Sequence, residues 1–384
     1  MRESLRDLAK QYLEMVHSPR NEANRAYWAR YENWNRDMQR ITPKKTDHVP
    51  FVVVPDNSYY KQPLGFTLDQ YYEDPLKNLE IQMKIMLYRF HNFHDNYYYT
   101  PELHLWFGVV TELSMFDTGV EFTPDREPWI ARTRLEEPED LDTLEYPDFY
   151  KSGLMPRIHE YYKIFQEELG DLLHVMFPEW VRGPFCFANH LRGIENCLVD
   201  MYTDPEFFHR MMRFITDSRI RWSDEREKFL GKKQDRCKLW NDEIDMPMLS
   251  PDNYTEFVFP YEKELSDKYG EVSYWHSCGK LDGYVEQFTK LTNLKMLHCS
   301  PWSSLDHMVD VLGDSVAIDL CLNPLSDVYE ATEEQMRAKL EHIKELSARA
   351  NIAVRADTFT LYGNDEASSV AKIQNWVKLA QEIL

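Results

Sequence analysis

The sequence predicts an α/β fold, a (β/α)8 TIM barrel with an N-terminal helical extension. Three observations predict it. From residue 155 onward, short apolar runs alternate with amphipathic helical segments, the rhythm that builds a parallel sheet. Run after run ends in a polar or charged residue, which a buried strand core does not require and the C-terminal face of such a barrel does. The chain of 384 residues carries no Ser/Gly/Pro-rich tract that would mark a linker. The expected division is therefore an extension over residues 1–47 and one barrel domain over residues 48–384.

Residues 1–47 read as helix with mixed polar and aromatic positions, among them Tyr12, Trp28, Tyr31 and Trp34. Such an extension packs on the barrel or on a second copy, so a homodimer is expected. Residues 48–55 form a β-branched run closed by Pro55, with Asp56 and Asn57 at its exit. A helix near 68–91, opened by Pro75, places Leu79, Met83, Met86 and Leu87 inward. The second strand is expected over 103–110. The acidic segment 121–150 reads as an excursion over the top of the fold, a lid.

The rhythm then becomes regular. Helix 154–169 leads to strand 172–178, whose exit carries Glu179 and Arg182. Thr203, Asp204, Pro205 and Glu206 form a capping box that opens a helix burying Phe208, Met211, Met212 and Ile215. Strand 237–240 exits into Asn241, Asp242 and Glu243, and Ser250-Pro251 starts a helix ending near Gly270. Four more strands follow at 272–276, 294–299, 315–320 and 351–356. Their exits carry His276 and Cys278, then residues 298–302 with Trp302, then Asp319, Cys321 and Asn323, then Arg355 and Asp357. Helices 332–349 and 366–384 complete the pattern.

A formal charge of −21 without Lys/Arg clusters excludes a nucleic-acid partner and an anionic membrane surface. Six cysteines in no framework spacing, without a signal peptide or a long apolar run, point to a reduced, cytoplasmic protein. No phosphate-cradling glycine loop and no nucleophile elbow occurs. The surplus of aromatics, with 23 Tyr, 20 Phe and 10 Trp, leaves some to line an apolar pocket.

His276 and Cys278 lie two apart at a strand end and project to one face, so a zinc on this pair is an obvious use of them. Two ligands do not complete a site; Cys321, two strands further on, is placed to reach across the mouth, Cys299 lies on the intervening strand, and Cys186, Cys197 and Cys237 read as structural. For proton transfer the candidates are Asp242, Glu243, His276 and Asp357. Asn57, Glu179, Arg182, Asn241, Trp302, Asp319 and Arg355 are the candidates for binding substrate.

Residues 180–325 resemble the uroporphyrinogen decarboxylase superfamily, which includes corrinoid-dependent methyltransferases. The segments that carry the resemblance are Gly183-Pro184-Phe185 with Leu191-Arg192-Gly193 and 202–206, Asn241-Asp242 with Leu249-Ser250-Pro251 and 259–262, His276-Ser277-Cys278-Gly279, and Ile318-Asp319 with Asn323-Pro324. The Arg-rich motif of the decarboxylase proper has no counterpart after the first strand. The His-x-Cys motif resembles the methyltransferase branch, in which zinc bound by His, Cys and a later Cys activates a thiol; Arg355, Ala356 and Asp357 stand where that later Cys is expected. The resemblance therefore implies transfer of a methyl group from a small methylated donor, an aryl methyl ether in particular, to a corrinoid (cobalamin) carried by a partner protein. A decarboxylase of a small carboxylated substrate and a zinc-dependent methylcorrinoid:thiol methyltransferase are the alternatives. A two-Glu, one-His zinc set of ether-cleaving relatives falls by spacing on Glu271, Glu286 and His307.

Overall fold

Eight parallel strands form the barrel: β1 (Phe51–Pro55), β2 (Glu102–His104), β3 (His174–Met176), β4 (Cys237–Trp240), β5 (Val272–His276), β6 (Met296–Cys299), β7 (Ala317–Leu322) and β8 (Ile352–Phe359). The computed structural model describes residues 2–28, 32–35, 40–42 and 48–384. Six strands make one continuous sheet in the order β1-β8-β7-β6-β5-β4, and β2 pairs with β3. Arg182, beyond β3, bridges Trp240 of β4 and joins the two pieces. The main helices are α1 (Arg2–Val16), α2 (Pro19–Trp28), α3 (Pro75–Asn92), α4 (Met155–Leu169), α5 (Pro184–Arg192), α6 (Pro205–Leu230), α7 (Phe259–Tyr269), α8 (Leu305–Leu312), α9 (Glu333–Leu346) and α10 (Glu366–Ile383).

Local chemistry sets these boundaries. Asp74 accepts from the backbone of Leu76 and Lys77 while Pro75 occupies the first turn of α3. Thr332 and Gln335 close a capping box on α9, which buries Met336, Leu340, Ile343 and Leu346. Pro260 has no N–H to continue the preceding turn, and residues Tyr254–Val258 adopt a π-helical turn before α7 begins. The helix expected from Ser250 to Gly270 is therefore interrupted. The second strand is also shorter than expected, because Gly108 takes φ +79° and turns the chain into a 3-10 turn over Gly108–Val110. Within the extension, Glu32–Asn35 pairs antiparallel with Arg40–Thr42 rather than continuing a helix.

Strand residues alternate between two cores. Outward positions such as Trp275, Leu297, Ile318 and Val354 pack under the helices. Inward positions Val52, Tyr274, Met296, Ala317 and Ala353 form a second, smaller cluster inside the barrel. Register carries the inward face upward in layers: Trp240 lies beside His276, His298 beside Asp319, and Asp319 beside Ala353. One level higher, Cys321 pairs with Arg355 and Arg355 with Val52. The small side chains of Ala317 and Ala353 leave room for Tyr274 and Arg355.

The seam between β1 and the chain leading into β2 is built differently. Val53 donates its N–H to Asp95 Oδ2 at 2.6 Å and its carbonyl accepts from Arg89 Nη2 at 2.7 Å. Phe51 N–H donates to Asn96 Oδ1 at 3.2 Å. Side chains here satisfy backbone groups that a neighbouring strand satisfies elsewhere.

Candidate active site

Tyr274 and His276 are both inward-facing residues of β5, and Cys278 follows at its exit. Asp242, two residues beyond Trp240 of β4, points the same way. Its Oδ1 lies 3.1 Å from His276 Nε2 and 3.5 Å from Cys278 Sγ, and Sγ lies 3.4 Å from Nε2. Three ligands bound to zinc at about 2.0–2.3 Å in tetrahedral directions sit about 3.4 Å from one another. The N, S and O atoms therefore already stand at three corners of such a tetrahedron; the Cys278 residue as a whole is solvent-accessible while its sulfur lies against Asp242 and His276.

Electrostatics fit this arrangement. Burial alone would raise the Asp242 carboxyl, but the bond from His276 and the charges of His276 and Arg182 hold it well below the usual carboxylate range. Burial and the neighbouring Asp242 push the Cys278 thiol up. A divalent cation would reverse that second shift by favouring thiolate. The Tyr274 hydroxyl donates its single proton to Asp319 Oδ2 at 2.8 Å, so at 3.3 Å it accepts from His276 Nδ1. Nδ1 is thus committed to Tyr274, and a cation at the triangle would take the place of the proton that Nε2 gives to Asp242. Tyr274→Phe is expected to weaken zinc binding about 10- to 100-fold with the fold retained. Competition against a chromophoric chelator measures this, and equal affinity in variant and parent would remove Tyr274 from the site.

Arg182 is buried, with Nη1 3.8 Å from Asp242 Oδ2 and Nε donating to the Val109 carbonyl at 2.7 Å. Glu243 pairs with His190 Nε2 at 3.0 Å. Deeper in the mouth, Arg355 Nε reaches Asp319 Oδ2 at 3.4 Å and Asp357 Oδ2 at 3.8 Å. Trp302 is 63% exposed at the rim. A cavity of about 660 Å³ opens over Asp242 and Cys278, with Ile194, Met246, Met248 and Trp302 as its apolar wall.

Other predicted residues lie elsewhere. Asn241 turns away from the mouth, because positions alternate and Asp242 takes the inward direction. It is fully buried and donates to Glu262 Oε1 at 2.8 Å. Glu179 sits a layer lower, against Lys238 Nζ at 3.3 Å and Arg226 Nη2 at 3.8 Å. Asn57 is at the β1 exit but donates to the Tyr72 hydroxyl at 3.3 Å. Cys321 contacts the Leu322 carbonyl and is not part of the Asp242, His276, Cys278 group. Of the alternative ligand set, His307 and Glu286 meet at 4.0 Å, whereas Glu271 precedes β5 at the opposite end and takes a bond from Asn293.

Two acids were not among the candidate site residues, although Glu262 falls in the 259–262 segment. Glu127, in the 121–150 excursion, accepts from the Tyr72 hydroxyl, and burial raises its carboxyl to about 7. Glu262 accepts from Trp275 Nε1 at 2.9 Å and the Tyr254 hydroxyl at 2.7 Å as well as from Asn241, and burial raises it to about 7 also. Neither follows an apolar run, the signal by which the candidate acids were chosen.

Gly183 shows how tightly this layer is built. A Cβ there would meet Asn241 Oδ1 at 1.9 Å. Gly183→Ala should therefore displace Asn241 and destabilise by about 1–3 kcal/mol, read by denaturant unfolding; an unchanged midpoint would contradict the packing described.

The uroporphyrinogen decarboxylase (URO-D) family pattern matches residues 35–352. The methylated-thiol–coenzyme M methyltransferase of Methanosarcina mazei is 25% identical over 225 residues, which are 55% of this chain and 57% of that protein. The chain thus spans little more than half the length of that curated relative. A solved methyltransferase from Methanosarcina mazei has a TM-score of 0.62 at 15% identity, covering 88% of this chain and 94% of that one. That likeness is one of fold.

Proposed function

The chain belongs to the uroporphyrinogen decarboxylase family, and from that premise we propose a corrinoid-dependent methyltransferase that passes a methyl group from a small methylated donor to the cobalt(I) of a corrinoid protein. The donor class we propose is an aryl methyl ether. The observation that carries the reading is the triangle of Asp242, His276 and Cys278 under an apolar-walled cavity at the barrel mouth. A zinc held there would act as a Lewis acid on the donor's heteroatom. The wall of Ile194, Met246, Met248 and Trp302 offers a methoxylated ring an apolar surface beside the triangle. A phenol leaves with a pKa near 10, so a proton supplied as the bond breaks speeds the step. Glu127, raised by burial to about 7 beside Asn57, is protonated in about half of the molecules at neutral pH. Asp242, held ionised, is suited to the cation.

A second reading has its own support. The relative from Methanosarcina mazei is named for a methylated thiol, and a ligand set containing sulfur suits thiol activation, so a methylated-thiol donor or a thiol acceptor is the alternative. The decarboxylase reading draws less support, since a carboxylate clamp needs guanidinium groups turned to the cavity. Arg182 and Arg355 are buried and engaged by Asp242, Asp319 and Asp357. The division at residues 47/48, the homodimer and a cytoplasmic location are proposed with this function; no helix among the described residues is long and apolar enough to cross a membrane.

The test is an absorbance assay with purified protein, a cobalt(I) corrinoid protein, and panels of methoxylated phenols and methylated thiols, with metal determined on the same sample. Corrinoid methylation from methoxylated phenols is the expected result. Methylation from thiols alone would move the reading to the alternative, and none from any donor in folded, metal-replete protein would end it.

A further inference from the structure

Beside the triangle lies a second convergence of donor atoms that the reading above does not use. Cys186 and His190 stand four residues apart on α5, and i, i+4 positions share one helix face. Glu243, from the β4 exit, closes the group: its Oε1 is 3.0 Å from His190 Nε2, and one donor atom from each of the three residues lies within 4.8 Å of the others. Cys186 is fully buried, and Glu243 Oε2 is buried without a hydrogen-bond partner among the described residues. Burial pushes the Cys186 thiol well up, so packing alone makes it an inert thiol.

A cation already reaches the edge of the group. Arg182 Nη1 lies 2.7 Å from Cys186 Sγ and 3.4 Å from His190 Nε2, and 3.8 Å from Asp242 Oδ2 on its other side. The sulfur thus accepts from a positive charge, while the His190 Nε2 stands between that charge and the Glu243 carboxylate. One thiol, one imidazole and one carboxylate, two of them fixed by a single helix, form the donor set of a borderline divalent ion such as zinc.

We propose that Cys186, His190 and Glu243 form a second divalent-metal site, next to the Asp242, His276 and Cys278 triangle and separated from it by Arg182. In the metal-free protein the Arg182 guanidinium supplies the positive charge that the donors face. Binding of the ion releases the Cys186 proton to solvent and leaves Arg182 to Asp242. Glu243 and Asp242 are adjacent in the chain, so the β4 exit gives one carboxylate to each site.

The probe is cobalt(II), added to chelator-stripped full-length protein under anaerobic conditions and read by thiolate-to-cobalt absorption and by equivalents bound. The parent is expected to bind one equivalent that is lost in Cys186→Ser and in His190→Ala, whatever happens at Cys278. Cys278→Ser should leave that equivalent in place. Should Cys186→Ser fail to fold by circular dichroism, His190→Ala decides alone. Binding that survives both substitutions, or no binding at all, would overturn the proposal. Because the readout is metal stoichiometry, failure of the methyl-transfer reading leaves this result unaffected.

Discussion

His276→Ala should lower methyl transfer by about 10²-fold or more, equivalent to about 2.7 kcal/mol of barrel-mouth chemistry, with the fold retained. His276 is the shared corner of the site: it touches Asp242 and Cys278 through Nε2 and Tyr274 through Nδ1. Its loss removes one ligand and breaks the relay that orients the others. The fold should survive, because the Tyr274 hydroxyl keeps Asp319 and Asp242 keeps Arg182. Steady-state rates with metal content and a thermal melt on one preparation check this. Asp242→Asn provides the companion test, keeping shape while removing the charge that a cation would need. Unchanged rates in both variants would remove the triangle from the reaction.

Glu262→Ala should be the most damaging single change to stability. Three donors, from Asn241, Trp275 and Tyr254, converge on this carboxyl from three different elements, and all are buried. Truncation leaves them without an acceptor, at about 1–3 kcal/mol each. The sum rivals the whole stability of a typical domain, about 5–15 kcal/mol. Denaturant unfolding measures it; a loss below about 1 kcal/mol would contradict the network.

The same residue gives a pH dependence with a defined sign. Burial raises the Glu262 carboxyl from 4.5 to about 7 in the folded protein. Between those values the native state holds a proton that the unfolded state releases, so stability is full below 4.5 and falls as pH rises through about 7. The thermal midpoint should therefore drop from pH 5 to pH 8, and Glu262→Gln should flatten the drop.

Much of the barrel could be read from residues because each strand announces itself twice, by an apolar run and by the polar residue that ends it. The β4 and β5 exits are the clearest case, and they carry Asp242, His276 and Cys278. What could not be read was direction and distance. Asn241 and Asp242 are both polar and both follow Trp240, yet alternation sends one outward to Glu262 and the other to the mouth. Glu179 marks an exit in sequence but lies beside Lys238, because the chain continues past β3 to Arg182 before it reaches the level of Trp240. Tyr274 was not a candidate, and only the register carried from β5 through β6 to β7 brings its hydroxyl to Asp319. Glu127 depends on Tyr72, a contact across 55 positions that no local pattern encodes.

The join between β1 and the chain entering β2 has a further consequence. Everywhere from β4 to β8 the cylinder is closed by backbone pairing, which no substitution removes. At Val53 it is closed by one guanidinium and one carboxylate, those of Arg89 and Asp95, with Arg89 also stacked 3.9 Å over Tyr97. This is a latch rather than a weld: at Val53 two side chains do what strand pairing does elsewhere, beside one backbone bond from the Asn96 N–H to the Phe51 carbonyl.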